Sequence, residues 1–236
     1  MLEVRNIAFS YGAEKILRDV SFAVSPGETV CVVGGNGAGK TTLLRILATA
    51  LSPDSGSIRL DGHDAARVPL AYRRWLGYMP ETPALYAEMT PRAYLEYRAR
   101  LRGEPDRRIR RRVGEAAELC RIADVMSRRI GTLSFGQRKR VSLADAMLLR
   151  PRVLLLDDVL AGLDRQMRAA AGEIVSTAAA FSSVIVTGHE TADLARWATR
   201  FLVLEDGRIS ATVPAQGLDA ATAAVRVDAI LGRTLR

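Results

Sequence analysis

The chain has 236 residues, which suffice for one sizeable α/β domain or for one domain with an insert. Apolar residues make up 48% and charged residues 25%, and no apolar run reaches the roughly 18–20 residues that a membrane-spanning helix needs. With an N-terminus that has no signal-peptide layout, these properties predict a cytoplasmic protein and exclude a membrane-spanning one. The net charge of +8 leaves nucleic acid, anionic lipid and an acidic protein open as partners.

The N-terminal segment predicts antiparallel strands. Residues 2–11 and 16–24 carry apolar residues at strand-like spacing, and a Pro26-Gly27 turn closes the second of them. Tyr11 ends the first strand, and its flat ring would suit an adenine base if the strand returns beside the next motif. An ordinary aromatic residue at a strand end is the alternative, and Tyr11 alone does not decide between the two.

A glycine-rich motif follows the apolar run 30–33 and opens an amphipathic helix that extends to about residue 50. It reads Gly34-Gly35-Asn36-Gly37-Ala38-Gly39-Lys40-Thr41-Thr42. Backbone N–H groups can surround a triphosphate only where no Cβ intrudes, and the start of the helix adds free N–H groups and partial positive charge. Lys40 supplies a full charge for the β- and γ-phosphates, and the Thr41 hydroxyl is placed to bind Mg²⁺. Strand, loop and helix together predict a phosphate-binding loop, and a glycine-rich turn without that function is the weaker alternative.

The middle of the chain changes from strand to helix patterns. Residues 57–60 predict a short strand, and residues 73–78 lead into another that ends at Met79. Helices are predicted at 91–102, 106–122 and 138–149, which together form a helical insert at about 90–150. Both cysteines, Cys31 and Cys120, are predicted to be small core residues in a reducing compartment.

The positive charge is concentrated between residues 98 and 112, which contain eight arginines. A solvated helix face is the favoured interpretation of such a run. A contact with anionic lipid or with an acidic segment of a partner is the alternative. No aromatic residue interleaves with the arginines after Tyr97, which argues against a nucleic-acid site built on stacking.

Two later apolar runs end in polar residues, as the phosphate-loop strand does. Residues 153–156 are followed by Asp157 and Asp158, and residues 183–186 are followed closely by His189. Continuous apolar runs of this length indicate buried parallel strands, and ligands bind at the carboxyl ends of such strands. We therefore expect these residues to meet around one triphosphate. Asp157 would hold Mg²⁺, and Asp158 would orient or deprotonate the attacking water.

The remaining patterns complete a single domain. A helix is predicted at 191–197, a hairpin at 201–204 and 209–213, and helical structure at 214–236. The predicted domain spans 1–236. Its core covers about 1–89 and 151–213, the helical insert lies between them, and a helical tail follows at about 214–236.

These motifs, with Leu133-Ser134-Phe135-Gly136-Gln137, make the chain resemble an ABC-type ATPase, the nucleotide-binding cassette of an ABC transporter. The resemblance covers nearly the whole chain, and the signature-like residues 133–137 are its most specific part. It implies a P-loop NTPase core with a mainly parallel sheet, an N-terminal antiparallel β subdomain and an inserted helical subdomain. It also implies that ATP and Mg²⁺ are bound and that ATP is hydrolysed.

The resemblance assigns roles to individual residues. Tyr11 falls where the family stacks adenine, residues 34–42 match the Walker A loop, and residues 161–164 match the D-loop. Glu81 stands at the Q-loop position, where it would bind the metal ion and take part in catalysis. Asp157 ends the Walker B strand, Asp158 stands at the catalytic carboxylate, and His189 matches the switch histidine. The signature-like residues implied to contact nucleotide are Ser134, Gly136 and Gln137.

The resemblance also implies partners. Two cassettes of the family bind head to tail around ATP, which favours a homodimer, and integral membrane permease subunits carry the transport path. The chain would then lie on the cytoplasmic face of the membrane. Glu81 after Gly77-Tyr78-Met79-Pro80 is familiar in cassettes of ABC-2-type exporters, which points to export, and no stable nucleic-acid complex is expected.

Three residues depart from the family pattern: Phe135 replaces a glycine, Glu81 a glutamine and Asp158 a glutamate. Asp158 is shorter by one methylene, which predicts slow hydrolysis and a long-lived closed dimer. The departures keep a nearly inactive, regulatory cassette open as an alternative. The basic composition keeps open a non-transport ABC protein that acts on nucleic acid or the ribosome.

Overall fold

The computed structural model describes residues 1–163 and 165–232. The strands are β1 (Leu2–Tyr11), β2 (Glu14–Val24), β3 (Thr29–Val33), β4 (Ser55–Leu60), β5 (His63–Asp64), β6 (Leu76–Met79), β7 (Val153–Leu156), β8 (Ser183–Thr187), β9 (Arg200–Glu205) and β10 (Arg208–Pro214). The α-helices are α1 (Lys40–Leu47), α2 (Pro69–Trp75), α3 (Pro91–Leu101), α4 (Asp106–Leu119), α5 (Phe135–Met147), α6 (Arg165–Ala179), α7 (Thr191–Leu194) and α8 (Ala220–Ile230). Short 3₁₀ turns lie at Ala123–Val125 and Ile130–Thr132.

The strands form two sheets. The first has the order β2-β1-β4-β5 with antiparallel pairing throughout, so the predicted antiparallel N-terminal strands are confirmed. The second has the order β10-β9-β3-β8-β7-β6, and its strands are parallel except for β10 at the edge. The fold is therefore the predicted mainly parallel core with an antiparallel subdomain and inserted helices.

The parallel sheet is buried on both faces, which explains its unbroken apolar runs. Along β3, Val30 and Val32 belong to one core, which also contains α1 and the antiparallel sheet. Cys31 and Val33 belong to the other core, against the inserted helices and α6. Because side chains alternate along a strand, each run needs apolar residues at every position. Both cysteines are buried free thiols, as predicted.

The helical insert is fastened by a carboxylate on α5. Arg98 and Arg102 each place an Nη2 atom 3.1 Å from the Asp145 carboxylate, and the Tyr94 hydroxyl donates to it at 3.2 Å. Asp145 is 6% exposed, so water hardly reaches its charge. These partners stabilise the buried carboxylate in place of water. The ion pairs join α3 to α5.

The prediction of a solvated arginine face is wrong for part of that run. Arg98, Arg102 and Arg112 are only partly exposed and lie in ion pairs, Arg112 with Glu104 and Glu115. Arg107, Arg108, Arg110 and Arg111 are exposed, as predicted. Arg98 and Arg102 differ from the prediction because their acid, Asp145, lies on α5, whereas the acids of Arg112 are close to it in sequence.

Several predicted element boundaries are also wrong. Helix α2 was missed, although Pro69 in its first turn is a helix-start signal. Helix α5 begins at Phe135 instead of residue 138, because Ser134 and Gln137 cap it reciprocally. Helix α7 ends at Leu194 instead of residue 197. The helical tail is confined to α8, since residue 214 belongs to β10 and residues 233–236 lie outside the described residues.

None of the helices in the described part of the chain has both the length and the apolar composition to cross a bilayer.

The Asp145 cluster yields a stability prediction. Asp145→Ala leaves two partly buried guanidinium groups without their carboxylate, so we expect the free energy of unfolding to fall by about 3 kcal/mol. Urea denaturation measures it. Asp106→Ala is the matched control, because Asp106 pairs with Arg100 on the surface and should cost less than about 1 kcal/mol. Equal losses for the two variants would contradict this account of the insert.

Candidate functional site

Three neighbouring parallel strands end at one edge of the sheet. β3 pairs with β8, β8 pairs with β7, and their carboxyl ends lead into the glycine-rich loop, His189 and the Asp157-Asp158 pair. These ends surround a cavity of about 360 Å³. Its lining residues are Glu14, Ile16, Asn36, Gly37, Ala38, Gly39, Lys40, Thr41, Thr42, Glu81, Asp157, Asp158, Thr187 and His189. The structure thus brings together the polar ends of the three strands.

The glycine loop is shaped by tight backbone contacts. A Cβ at Gly34 would lie 2.2 Å from the carbonyl oxygen of Leu204, so no larger residue fits there. Gly39 has φ +101° and precedes α1 without a side-chain cap in the described chain, which leaves N–H groups of the first helical turn directed into the cavity. Lys40 Nζ donates to the carbonyl oxygens of Gly34 at 3.0 Å and Gly35 at 2.9 Å. The ammonium group therefore lies across the loop, at the place where an anion would meet these N–H groups.

A buried carboxylate joins the three strand ends. Asp157 Oδ1 accepts hydrogen bonds from Thr41 Oγ1 at 3.1 Å and from Thr187 Oγ1 at 2.8 Å. Thr187 Oγ1 in turn accepts from the backbone N–H of Asp158 at 2.9 Å. Thr187 lies at the end of β8 and was missed by the sequence analysis, because a threonine in a strand is ordinary.

Burial raises the pKa of the two aspartates. The pKa of Asp157 is raised by burial and further by Glu81, while the hydrogen bonds from Thr187 and Thr41 oppose the rise. The pKa of Asp158 is raised by burial and by Glu190, against the opposing effect of His189 and Lys139. The site is therefore arranged so that a bound cation would relieve a concentration of negative charge.

The residues present fit a Mg²⁺ ion. Asp157 Oδ2 is buried and has no hydrogen-bond partner among the described residues, and the Thr41 hydroxyl lies on the same carboxylate. The described residues contain no group of three or more acidic, histidine or cysteine side chains that could hold a metal by themselves. Mg²⁺ commonly uses one or two protein ligands and completes its shell with phosphate oxygens and water. The donor set matches this second mode.

Tyr11 does not line the cavity. Its ring is 47% exposed and meets the edge of Phe9 at a centroid distance of 4.8 Å. Ile16 and Glu14 of β2 lie on that side of the cavity instead, and neither was predicted as a site residue.

The signature-like residues form the start of α5. Gln137 N–H donates to Ser134 Oγ at 3.2 Å, and Ser134 N–H donates to Gln137 Oε1 at 2.9 Å. Gly136 is buried, and a Cβ there would meet Met167 at 2.3 Å. None of Ser134, Gly136 and Gln137 lines the cavity of their own chain, in the part that the structure describes.

Phe135 turns its ring onto the loop after β7. A Cβ at Gly162 would lie 2.7 Å from Cε1 of Phe135, so the ring packs directly on this glycine. Gly162 belongs to the predicted D-loop, whose last residue, Asp164, lies outside the described residues. The bulky side chain is therefore accommodated against its own chain.

Comparison with known proteins assigns the class. Residues 17–161 match the family model described as ABC transporter, which covers more than half of the chain. A solved structure described as the ATP binding subunit of an ABC transporter superimposes with a TM-score of 0.85 at 29% identity, covering 96% of this chain and 99% of that one. The chain belongs to the ABC transporter family, as one of its ATP-binding cassettes.

Curated relatives include proteins with different printed functions. The daunorubicin resistance ATP-binding protein DrrA3 of Streptomyces coeruleorubidus is 36% identical over 222 residues, which cover 94% of this chain and 70% of the relative. The spermidine/putrescine import ATP-binding protein PotA of Haemophilus influenzae (strain 86-028NP) is 33% identical over 213 residues, which cover 89% of this chain and 57% of the relative. The chain thus spans only part of the length of each.

Thr187 gives a prediction about the site. Thr187→Val keeps the shape of the side chain but leaves the buried N–H of Asp158 without its acceptor, so we expect the free energy of unfolding without nucleotide to fall by about 1–3 kcal/mol. Urea denaturation measures it. Thr177→Val is the control, since that hydroxyl lies on the surface of α6 and bonds only its own helix among the described contacts. A Thr187 variant as stable as the control would show that the bridge between the strand ends is dispensable.

Proposed function

We propose that this chain binds MgATP in the cavity at the ends of β3, β7 and β8 and hydrolyses it to ADP and phosphate. The observation that carries the proposal is the meeting of Lys40, Thr41, Asp157, Asp158 and His189 around one cavity. These groups supply what phosphoryl transfer to water requires, namely a positive cradle, ligands for a cation and a carboxylate for the water.

The loop residues bind the phosphates. The N–H groups of residues 36–39 and of the first turn of α1 donate to the oxygens of the β- and γ-phosphates. Lys40 already lies across the loop and contributes its charge to the same oxygens. Tyr11 is proposed to stack on adenine when nucleotide binds, because it is exposed although it does not line the cavity.

The acidic residues act at the γ-phosphate. Bound Mg²⁺ would neutralise charge on the phosphate oxygens, and Thr41, Asp157 and Glu81 would hold it. Asp158 accepts a proton from the attacking water or orients it, and its raised pKa suits this role because a stronger base takes the proton more readily. His189 is proposed to donate to the γ-phosphate from the end of β8, the strand between β3 and β7. Asp158 is shorter than glutamate, so we propose that hydrolysis is slow.

A second copy of the chain completes the site. Ser134, Gly136 and Gln137 do not line their own cavity, yet they begin a helix, where N–H groups and partial positive charge attract an anion. We propose that they face the γ-phosphate held by a partner cassette, in a two-fold homodimer. ATP then joins the two chains, and hydrolysis separates them.

The coupled process is proposed to be transport by integral membrane permease subunits, with this chain on the cytoplasmic face. Relatives named for resistance and for import both resemble the chain, so their names support transport but not its direction. We propose export on the strength of Glu81 at the Q-loop position. Nucleic acid is not proposed as a partner, because part of the arginine run is engaged in ion pairs within the chain.

Loss of Lys40 tests the phosphate cradle. Lys40→Ala removes a charged donor to the phosphates, so we expect the Kd for MgATP to rise at least about tenfold and ATP-dependent dimerisation to disappear. Isothermal titration calorimetry and light scattering measure the two effects. Arg107→Ala, at an exposed arginine of α4, is the control and should leave both unchanged. Unaltered affinity and pairing in the Lys40 variant would refute the proposed site.

The length of the catalytic carboxylate is tested separately. Asp158→Glu adds one methylene, and because a displacement near 1 Å can alter a rate about a hundredfold, we expect single-turnover hydrolysis to become at least about tenfold faster. Asp158→Asn should abolish it while leaving nucleotide bound. A glutamate variant no faster than the original chain would refute the length argument. An original chain no faster than the Asn variant would favour a regulatory cassette without turnover.

A further inference from the structure

Lys139 is a buried cation that the proposed mechanism does not use. It lies on α5 and is 2% exposed. Its Nζ donates to the carbonyl oxygens of Asp158 at 2.8 Å and Ala161 at 2.7 Å, and the Val159 carbonyl oxygen lies at 3.5 Å. A lysine is seldom buried unless its charge is satisfied, and here backbone oxygens of one turn satisfy it.

The turn that Lys139 binds, residues 158–161, carries the carboxylate proposed to act on water. Asp158 has φ +45°, in the left-handed region that non-glycine residues rarely adopt. The Asp158 carbonyl also accepts from the N–H of Ala161 at 3.2 Å. Such a conformation persists only where surrounding contacts hold it, and Lys139 contacts both ends of the turn.

The choice of side chain supports a specific role. The sequence has only three lysines, Lys15, Lys40 and Lys139, among 34 basic residues, and arginine occupies every other basic position. An ammonium group is compact and can donate to several carbonyls from one point, whereas a guanidinium group is a wide planar fork. Lys40 contacts two carbonyls in the same way. Two of the three lysines, Lys40 and Lys139, thus lie where a compact cation fits among backbone oxygens, whereas Lys15 is exposed.

We propose that Lys139 is a positioning residue for hydrolysis. It holds the turn of Asp158 against α5, so that the distance and orientation between the carboxylate and the start of α5 stay fixed. This inference rests on the proposed function. Lys139 does not touch substrate. It acts through the backbone of Asp158. It thereby links α5, whose start would face the nucleotide of a partner cassette, to the carboxylate that would act on the nucleotide bound by its own chain.

Phe135 makes the second contact of this link. Its ring packs on Gly162, just after the turn, and its centroid lies 5.5 Å from Lys139 Nζ. The residue that replaces the family's glycine thus ties the first turn of α5 to the same loop. Both contacts join the same two segments, so a displacement of either segment must carry the other with it.

The charges around Lys139 also connect it to the acidic residues of the site. Burial lowers the pKa of Lys139, and the nearby carboxylates of Asp158, Glu81, Glu190 and Asp157 oppose this lowering. The ammonium group therefore lies among the carboxylates of the site. Its hydrogen bonds go to backbone carbonyls, and its charge partly offsets theirs.

The test separates positioning from binding and from folding. Lys139→Met keeps the length and removes the donor, while Lys139→Gln keeps an uncharged donor that can reach part of the turn. For each we would measure the Kd for MgATP, the single-turnover rate and the urea midpoint. Arg140→Met is the matched control, because Arg140 is the next residue of α5 and donates to the carbonyl of Arg121, away from the turn.

We expect Lys139→Met to hydrolyse ATP at least about tenfold more slowly, with the Kd for MgATP changed by less than about threefold. The reason is that a displacement of a catalytic group by about 1 Å can lower a rate about a hundredfold. Lys139→Gln should recover part of the rate. Arg140→Met should match the original chain in the Kd for MgATP and in the rate.

Other outcomes are decisive as well. A Lys139→Met variant with the original rate overturns the inference, and so does one whose Kd for MgATP rises as far as its rate falls. If Lys139→Met does not fold, the Gln variant decides: an unaltered rate overturns the inference, and a slower rate with unaltered Kd supports it. An original chain that does not hydrolyse MgATP defeats the proposed function, and this inference fails with it. An active original chain with an equally active Met variant defeats the inference alone.

Discussion

The hydrogen bonds of Asp157 are the constraint on which the rest of the site depends. One oxygen of this carboxylate accepts hydrogen bonds from the hydroxyls of Thr41, in the first turn of α1, and Thr187, at the end of β8. Asp157 itself follows the neighbouring strand β7. Three segments that are far apart in sequence are thereby held at one point. Since the strands are parallel and adjacent, the same contacts fix the distance between the glycine loop and the residues proposed to act on the γ-phosphate.

This arrangement is costly in the absence of a ligand. The second oxygen of Asp157 and one oxygen of Asp158 are buried without partners among the described residues, and burial raises the pKa of both groups. A carboxylate whose pKa is raised by folding opposes folding at neutral pH, because its ionised form is less stable in the folded chain than in the unfolded chain. Binding of a cation and a phosphate therefore stabilises this site more than it would stabilise a site whose carboxylates already had partners. The stability of the empty site is reduced by the same groups that prepare it for nucleotide.

The sequence predicted those parts of the fold whose signals are local. Apolar runs followed by polar residues indicated the three strand ends, and the glycine loop before an amphipathic run indicated α1. Thr187 was missed because a threonine is as common in strands as at their ends. Lys139 was missed because it stands between Arg138 and Arg140, where a charged run suggests solvent exposure. Arg98 and Arg102 were taken as solvated because their acid, Asp145, lies in another helix, and a pairing across such a distance leaves no local trace. The start of α5 was within reach, since Ser134 and Gln137 have the spacing of a reciprocal cap.

Helix α5 is held at two places by different parts of the molecule. Lys139 binds the turn of Asp158, and Asp145, about 9 Å further along the axis by the rise of an α-helix, binds α3 of the insert. A helix of this length is stiff compared with the loops at its ends. A displacement of α3 would therefore tilt α5 as one unit, and the position of the Asp158 turn would depend on whatever binds the outer surface of the insert.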